Sequence, residues 1–179
     1  EQGLYKTTWF NFLLPPELRC YFYTKTNSDR LNKDDLFSLT EFALICFEEL
    51  DGMRPAELNQ LKAMVTMPYV NERAAYGRNK ERHPHIASFC GTGNNVQFLT
   101  DPTGNRRWLP FEVSQIRDPH LHAIPYELVY SQAYALWKSG FCHWFSQEEI
   151  RKLNMHNSRF EVPNLEEDLI RTHFRKPFE

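Results

Sequence analysis

Residues 41–50 read EFALICFEEL. From Phe42 to Phe47 the run is apolar without alternation, and it ends on two carboxylates, Glu48 and Glu49. A strand covered on one face alternates apolar and polar side chains, whereas an unbroken run suits a central parallel strand covered on both. Working outward from it, RCYFYT at Arg19–Thr24 is aromatic-rich and strand-like, and Lys33–Leu39 has helical character. Downstream, Leu58, Leu61, Met64 and Val65 share one face of a helix predicted over Ala56–Val65, with Pro55 near its start. A second buried strand is expected at Ile86–Cys90, leading into GTGNN, and a third at Trp108–Val113 after a turn. Helical spacing returns from Tyr126, then at Ser146–Asn157, where Ser146 and Glu149 form a capping pattern, and at Pro163–Phe174. Thr7–Leu14 could open a helix that Pro15-Pro16 stops. Strands alternating with helices and followed by a helical tail indicate an α/β fold with a mostly parallel sheet.

The bulk composition narrows the function classes. The chain has 179 residues, 41% hydrophobic and 25% charged, ordinary values for a globular domain. A net charge of −2 argues against a generally basic nucleic-acid protein, so any such contact must come from a local patch. No apolar run is long enough to span a bilayer and no signal peptide is evident, so a cytoplasmic protein without membrane contact is expected. Cys20, Cys46, Cys90 and Cys142 form no C-x-x-C pair, and the pairs His83/His85 and His120/His122 lack acidic or thiol partners at ligand spacing. A metal or disulfide role is not expected of them.

Four short stretches carry chemistry. In EQGLYKTTWF at 1–10, Lys6-Thr7 fits the end of the phosphate-loop pattern G-x-x-x-x-G-K-[ST], in which backbone N–H groups wrap phosphates, lysine adds charge and the hydroxyl binds magnesium. In that register Gly3 lies inside the loop, Tyr5 replaces the second glycine, and the first glycine falls before residue 1. At the end of the acidic strand, Glu48 and Glu49 could hold the magnesium shell and polarise a water for attack on a γ-phosphate. Glu48 stands where magnesium ATPases usually carry Asp. Asn94, after the Ile86–Cys90 strand, could hydrogen-bond a γ-phosphate or the attacking water, with Asn95 as a turn residue. Arg106 and Arg107 follow the turn in DPTGNRRWLPF and suit stabilisation of transition-state charge. Singly, each has an ordinary reading as a solvated lysine, strand-end acids, a turn asparagine or a surface arginine pair. The ordered set, at intervals that suit β–α units, is the specific signal.

The blocks KTTWFNFLLP, FEELDGM, LKAMVT, RAAYGRN, SFCGTGN, FLTDPTGNRRWLPFEV and YSQAYALWKSG resemble those of the virulence-associated protein E family, P-loop ATPases related to superfamily III helicases and to phage and plasmid primase-helicases. The resemblance runs from the phosphate loop to about Phe145, with DPTGNRRWLPF its most specific block. It implies an AAA+-type, three-layer core over residues 1–145 with strand order 5-1-4-3-2. The first, central strand would then lie upstream of the chain; residues 146–179 match the family less distinctly and are read from their helical spacing alone as a helical C-terminal extension. It further implies ATP and Mg2+ as ligands, with Gly3, Lys6, Thr7 and Thr8 binding ATP, and Thr7 and Glu48 at the metal. Glu49, Asn94 and a neighbouring subunit's Arg106 or Arg107 would complete a catalytic site in a ring-shaped homo-oligomer.

Between the acidic strand and Asn94 lies MPYVNERAAYGRNKERHPH, where superfamily III relatives carry a hairpin that grips DNA. Arg73, Arg78, Lys80, Arg82 and His83 make it locally basic and Tyr76 offers a stacking face; Lys80, Arg82 and His83 are expected nearest the tip. The resulting expectation is a DNA helicase or translocase-like ATPase of a primase-helicase-type protein from a mobile element or prophage, with a primase domain possible upstream. The alternative is a nucleic-acid-binding or assembly module that has lost hydrolysis.

Overall fold

Three strands, β1 (Phe22–Lys25), β2 (Leu44–Phe47) and β5 (Ser88–Gly91), form a parallel sheet in the order β1-β2-β5. They come from a computed structural model that describes residues 5–26, 31–73, 78–100 and 105–174. Phe22 pairs with Leu44 and Lys25 with Phe47 on one side of β2; Leu44 pairs with Ser88 and Phe47 with Gly91 on the other. The consecutive residues Ile45, Cys46 and Phe47 are all buried. Since successive side chains point to opposite faces, both faces of β2 are covered, which is why its sequence does not alternate. The strand is shorter than its apolar run. Glu41 closes the preceding helix, α2 (Lys33–Glu41), and only four residues enter the ladder. Likewise β1 starts at Phe22 rather than Arg19, because Pro16–Tyr21 takes a 3-10 turn with Pro16 at its first position.

The helices of this unit start where the local chemistry says they should. Asn32 caps α2: its Oδ1 accepts from the N–H groups of Asp34 and Asp35, and Asp35 Oδ2 accepts from the Asn32 N–H. The other Asp35 oxygen sits 2.8 Å from Lys25 Nζ, an ion pair buried on both sides. Helix α3 (Pro55–Thr66) opens with Pro55 and buries Leu58, Leu61 and Met64 on one face. The strands β3 (Tyr69–Glu72) and β4 (Glu81–Pro84) form the antiparallel hairpin expected of the charged segment, with Glu72 facing Glu81 nearest the tip. A short helix α1 (Lys6–Asn11) buries none of its residues, and α4 (Tyr126–Lys138) buries none either. At the end of α4, Gly140 adopts φ 75°, the left-handed closure that glycine makes without strain.

The described residues divide into two units, residues 1–94 with 112–145, and residues 95–111 with 146–179. The second unit holds α5 (Gln147–Asn157), α6 (Leu165–His173) and 3-10 turns at Asn105–Arg107 and Ser158–Phe160. Ser146 and Glu149 form the expected capping box, and the backbone and hydroxyl of Ser146 hold the Glu149 carboxyl below its usual range. The strand expected at Trp108–Val113 is absent. Pro110 has no N–H to give a ladder, and side chains take the carbonyls instead: Asn157 Nδ2 reaches Trp108 O at 3.0 Å and His156 Nε2 lies 2.9 Å from Pro110 O. Among the described residues no helix is long and apolar enough to cross a membrane, and no group of three or more His, Cys, Asp or Glu is placed to hold a metal.

A candidate nucleotide site at the ends of the parallel strands

Parallel strands deliver their carboxyl ends to one side of a sheet, and that edge is where open α/β folds bind ligands. Here β2 ends at Phe47 and β5 at Gly91, so Glu48-Glu49 and Thr92-Gly93-Asn94 emerge side by side. Backbone bonds continue past the ladder: Glu48 N–H donates to Lys25 O at 2.9 Å, Thr92 N–H to Phe47 O at 2.9 Å, and Leu50 N–H to Thr92 O at 2.8 Å. Gly91 allows this approach, because a Cβ there would come within 2.2 Å of Leu50 Cδ1.

Helix α1 supplies the third part. Thr7 Oγ1 donates to Glu48 Oε1 at 2.7 Å, and Lys6 Nζ donates to Asn94 Oδ1 at 2.8 Å and also to the Gly93 carbonyl. Four residues expected at a phosphate site, separated by up to 88 positions in sequence, are thus brought within hydrogen-bond reach. The far end of α1 is held by the start of α4. Tyr126 Oη donates to Phe12 O at 2.7 Å and Tyr130 Oη to Leu13 O at 3.0 Å. Arg19 Nη2 donates to Tyr126 Oη, and its guanidinium lies 3.8 Å from the Phe12 ring centroid. Because α1 buries nothing, these polar and stacking contacts do the positioning that packing does for longer helices.

Two residues at this site have strained backbones. Tyr5 (φ 52°) and Glu49 (φ 54°) are the non-glycine residues with positive φ among those described. The left-handed region costs an ordinary side chain roughly 1–2 kcal/mol and is kept where surrounding structure over-determines it, often at functional sites. Tyr5 immediately precedes Lys6, where the phosphate-loop pattern has a glycine. It adopts the conformation that would make glycine the natural occupant. Glu49 is exposed, next to the half-buried Glu48, and opens the tight turn Leu50–Gly52.

The donor set fits a hard divalent cation in part. A threonine hydroxyl and a carboxylate converge, both oxygen donors of the kind magnesium takes, and magnesium is commonly held by one or two protein ligands with phosphate and water completing the shell. Thr8 follows on the same turn of α1, and Gly3 lies outside the described residues. Asn95 takes the turn role open to it, its Oδ1 accepting from Gln97 N–H at 3.1 Å.

The remaining expected residues lie elsewhere. Arg106 and Arg107 are exposed in the 3-10 turn of the second unit. That turn is anchored from below: Asn157, fully buried, donates to Asn105 O at 2.7 Å and to Trp108 O at 3.0 Å, while Asn105 Nδ2 donates to Glu161 Oε1 at 2.7 Å. On the hairpin, Arg73, Arg78 and Lys80 flank the tip and are exposed, whereas Arg82 and His83 lie back within β4 rather than at the tip. The Arg82 guanidinium stacks 3.6 Å from the Tyr69 ring centroid, and His83 Nε2 lies 3.6 Å from Glu81 Oε2. Tyr76 lies outside the described residues. Sequence motifs do not mark three further contributors: Asp51, whose Oδ2 accepts from the Asn94 N–H at 3.2 Å, and the tyrosines Tyr126 and Tyr130. Asp51 has one visible signal, its place two residues after the acidic pair.

A family model of the virulence-associated protein E-like domain matches residues 1–162. No curated protein sequence matches the chain. The family match spans Lys6-Thr7, both acidic and asparagine-bearing strand ends, the hairpin and the arginine turn, and the chain belongs to the virulence-associated protein E-like family.

Proposed function

We propose that this chain is the ATP-hydrolysing motor domain of a primase-helicase-type protein carried by a phage, plasmid or related mobile element, acting on DNA as a ring-forming homo-oligomer. The observation that carries the reading is the double junction of α1 with the two strand ends, Thr7 to Glu48 and Lys6 to Asn94. The strand order β1-β2-β5 supports it, since it matches the consecutive run 2-3-4 of the order implied by an AAA+ core.

In this reading the Lys6 ammonium leaves Asn94 for the β- and γ-phosphates of ATP. Thr7 and Glu48 hold magnesium, which when bound offsets phosphate charge. Glu49 orients a water whose oxygen attacks the γ-phosphorus as the bond to the β–γ bridging oxygen breaks; the water proton passes to Glu49 and ADP leaves. Asn94 contacts the γ-phosphate and so reports its presence to β5. A neighbouring subunit's Arg106 or Arg107 neutralises charge that builds on the transferring group. The hairpin then moves with bound DNA.

DNA-stimulated ATP hydrolysis of the wild type, Lys6→Ala and Glu49→Gln tests the reading. Both variants should fall at least ~100-fold, within the range over which phosphoryl-transfer sites depend on single charged groups. Equal background rates in all three would remove it. The second reading, a nucleic-acid-binding or assembly module without hydrolysis, is favoured by Tyr5 at the place of a loop glycine, and predicts DNA binding with no turnover.

A further inference from the structure

Asp51 is not among the residues the phosphate-site pattern calls for, yet it touches the segment that carries Asn94. Its Oδ2 accepts the Asn94 backbone N–H at 3.2 Å. The same carboxylate lies against Gly93, where a Cβ would meet Asp51 Oδ1 at 3.0 Å. Next to it, Leu50 N–H is bonded to Thr92 O and Thr92 N–H to Phe47 O. Phe47 through Asp51 and Gly91 through Asn94 therefore run as one stitched pair, with Asp51 closing its open end. Beyond that point Asn94 turns its side chain to Lys6 Nζ at 2.8 Å.

We propose that Asp51 is a positioning residue that holds Asn94 opposite Lys6 and thereby lets the site distinguish ATP from ADP. The proposal rests on the nucleotide-site reading above. An asparagine that senses a terminal phosphate must keep its amide at a fixed distance from the lysine that binds the same phosphate. Asn94 is the last residue of its unit's segment before the chain passes to the other unit, and the backbone stitching between the two segments ends at Thr92. The carboxylate of Asp51 extends that stitching to Asn94, and a charged acceptor makes a stronger bond to an N–H than a neutral one. The tight turn after Glu49 aims Asp51 back at β5. A shift of the turn that carries Glu49 is therefore passed to Asn94, which joins the water-orienting and phosphate-sensing residues into one moving part.

The test compares wild type, Asp51→Ala, Asp51→Asn, Asn94→Ala and the double variant Asp51→Ala/Asn94→Ala. Affinities for ATP and ADP are measured by calorimetry, and exchange of the Asn94 amide is measured without nucleotide. Asp51→Ala should weaken ATP binding by about tenfold, the scale of one charge-assisted hydrogen bond, and leave ADP binding within about twofold. Asp51→Asn keeps an acceptor oxygen and should recover most of the loss. The double variant should be no weaker for ATP than Asn94→Ala alone, because Asp51 acts through Asn94. Asn94 amide exchange should speed up by at least about tenfold in Asp51→Ala. Equal loss for ATP and ADP, independent losses that multiply in the double variant, or unchanged amide exchange would each overturn the proposal while leaving the site reading intact. Failure of the wild type to bind either nucleotide would overturn both.

Discussion

Tyr5 and Glu49 hold left-handed backbones on either side of the Thr7–Glu48 bond, and their side chains give no local reason for it. The conformation is imposed by what they join: Tyr5 leads into α1, and Glu49 turns the chain back toward β5. At Tyr5 a glycine would adopt the same backbone without the Cβ clash. Tyr5→Gly should raise stability by up to about 1 kcal/mol, less the entropy glycine adds to the unfolded chain, whereas Tyr5→Val should lower it by more. Thermal unfolding of the two variants checks this; a more stable valine variant would mean that the backbone at position 5 is not strained. From sequence, the residues that meet at the candidate site were legible, because Lys6-Thr7, Glu48-Glu49 and Asn94 form one ordered set. The role of Asp51 was not, since a single backbone-to-carboxylate bond across 43 positions leaves no periodic or compositional trace.

Among the elements, β2 was the most readable, because burial on both faces writes itself as an unbroken apolar run. The helices α2 and α5 were readable through their caps. Trp108–Val113 misled because aromatic and apolar content mimics a strand while Pro110 and the side chains of Asn157 and His156 take its backbone partners. The β3–β4 hairpin has its own prediction. Lys80→Ala combined with Arg82→Ala should weaken binding of single-stranded DNA and reduce the slope of log affinity against log salt by about 1.4, or ~0.7 for each phosphate no longer neutralised. Filter binding across a salt series measures it. Arg82 already stacks on Tyr69, so Lys80 should account for the larger part of the affinity loss. Binding that does not change would remove DNA contact from this hairpin.

At the scale of the whole molecule, the α/β class and the parallel sheet followed from the alternation of strand and helix patterns. The division into units did not, because residues 95–111 and 146–179 join through an isolated backbone bridge, Leu99 with Glu161, and side chains such as Asn157, neither of which leaves a periodic pattern. Cooperative closure of the sheet is testable through its thiols. Cys20 and Cys142 are exposed, Cys46 is buried, and Cys90, opposite Cys46 in the ladder, is partly covered. Hydrogen bonding with Cys46 and burial push the Cys90 thiol up, out of reach of ionisation near neutrality. A thiol reagent at neutral pH should therefore label Cys20 and Cys142 fast, Cys90 more slowly and Cys46 at the rate of unfolding; fast labelling of Cys46 would mean that β2 and β5 part in the native state. The anchor of the arginine turn has a consequence in time. Asn157 follows Asn105 by 52 residues, so a ribosome adding about 5–20 residues each second completes Arg106 and Arg107 roughly 3–10 s before making the residue that holds them. Throughout that interval the nascent chain carries its most distinctive motif without the fastener that shapes it, and the turn is set only as the tail emerges.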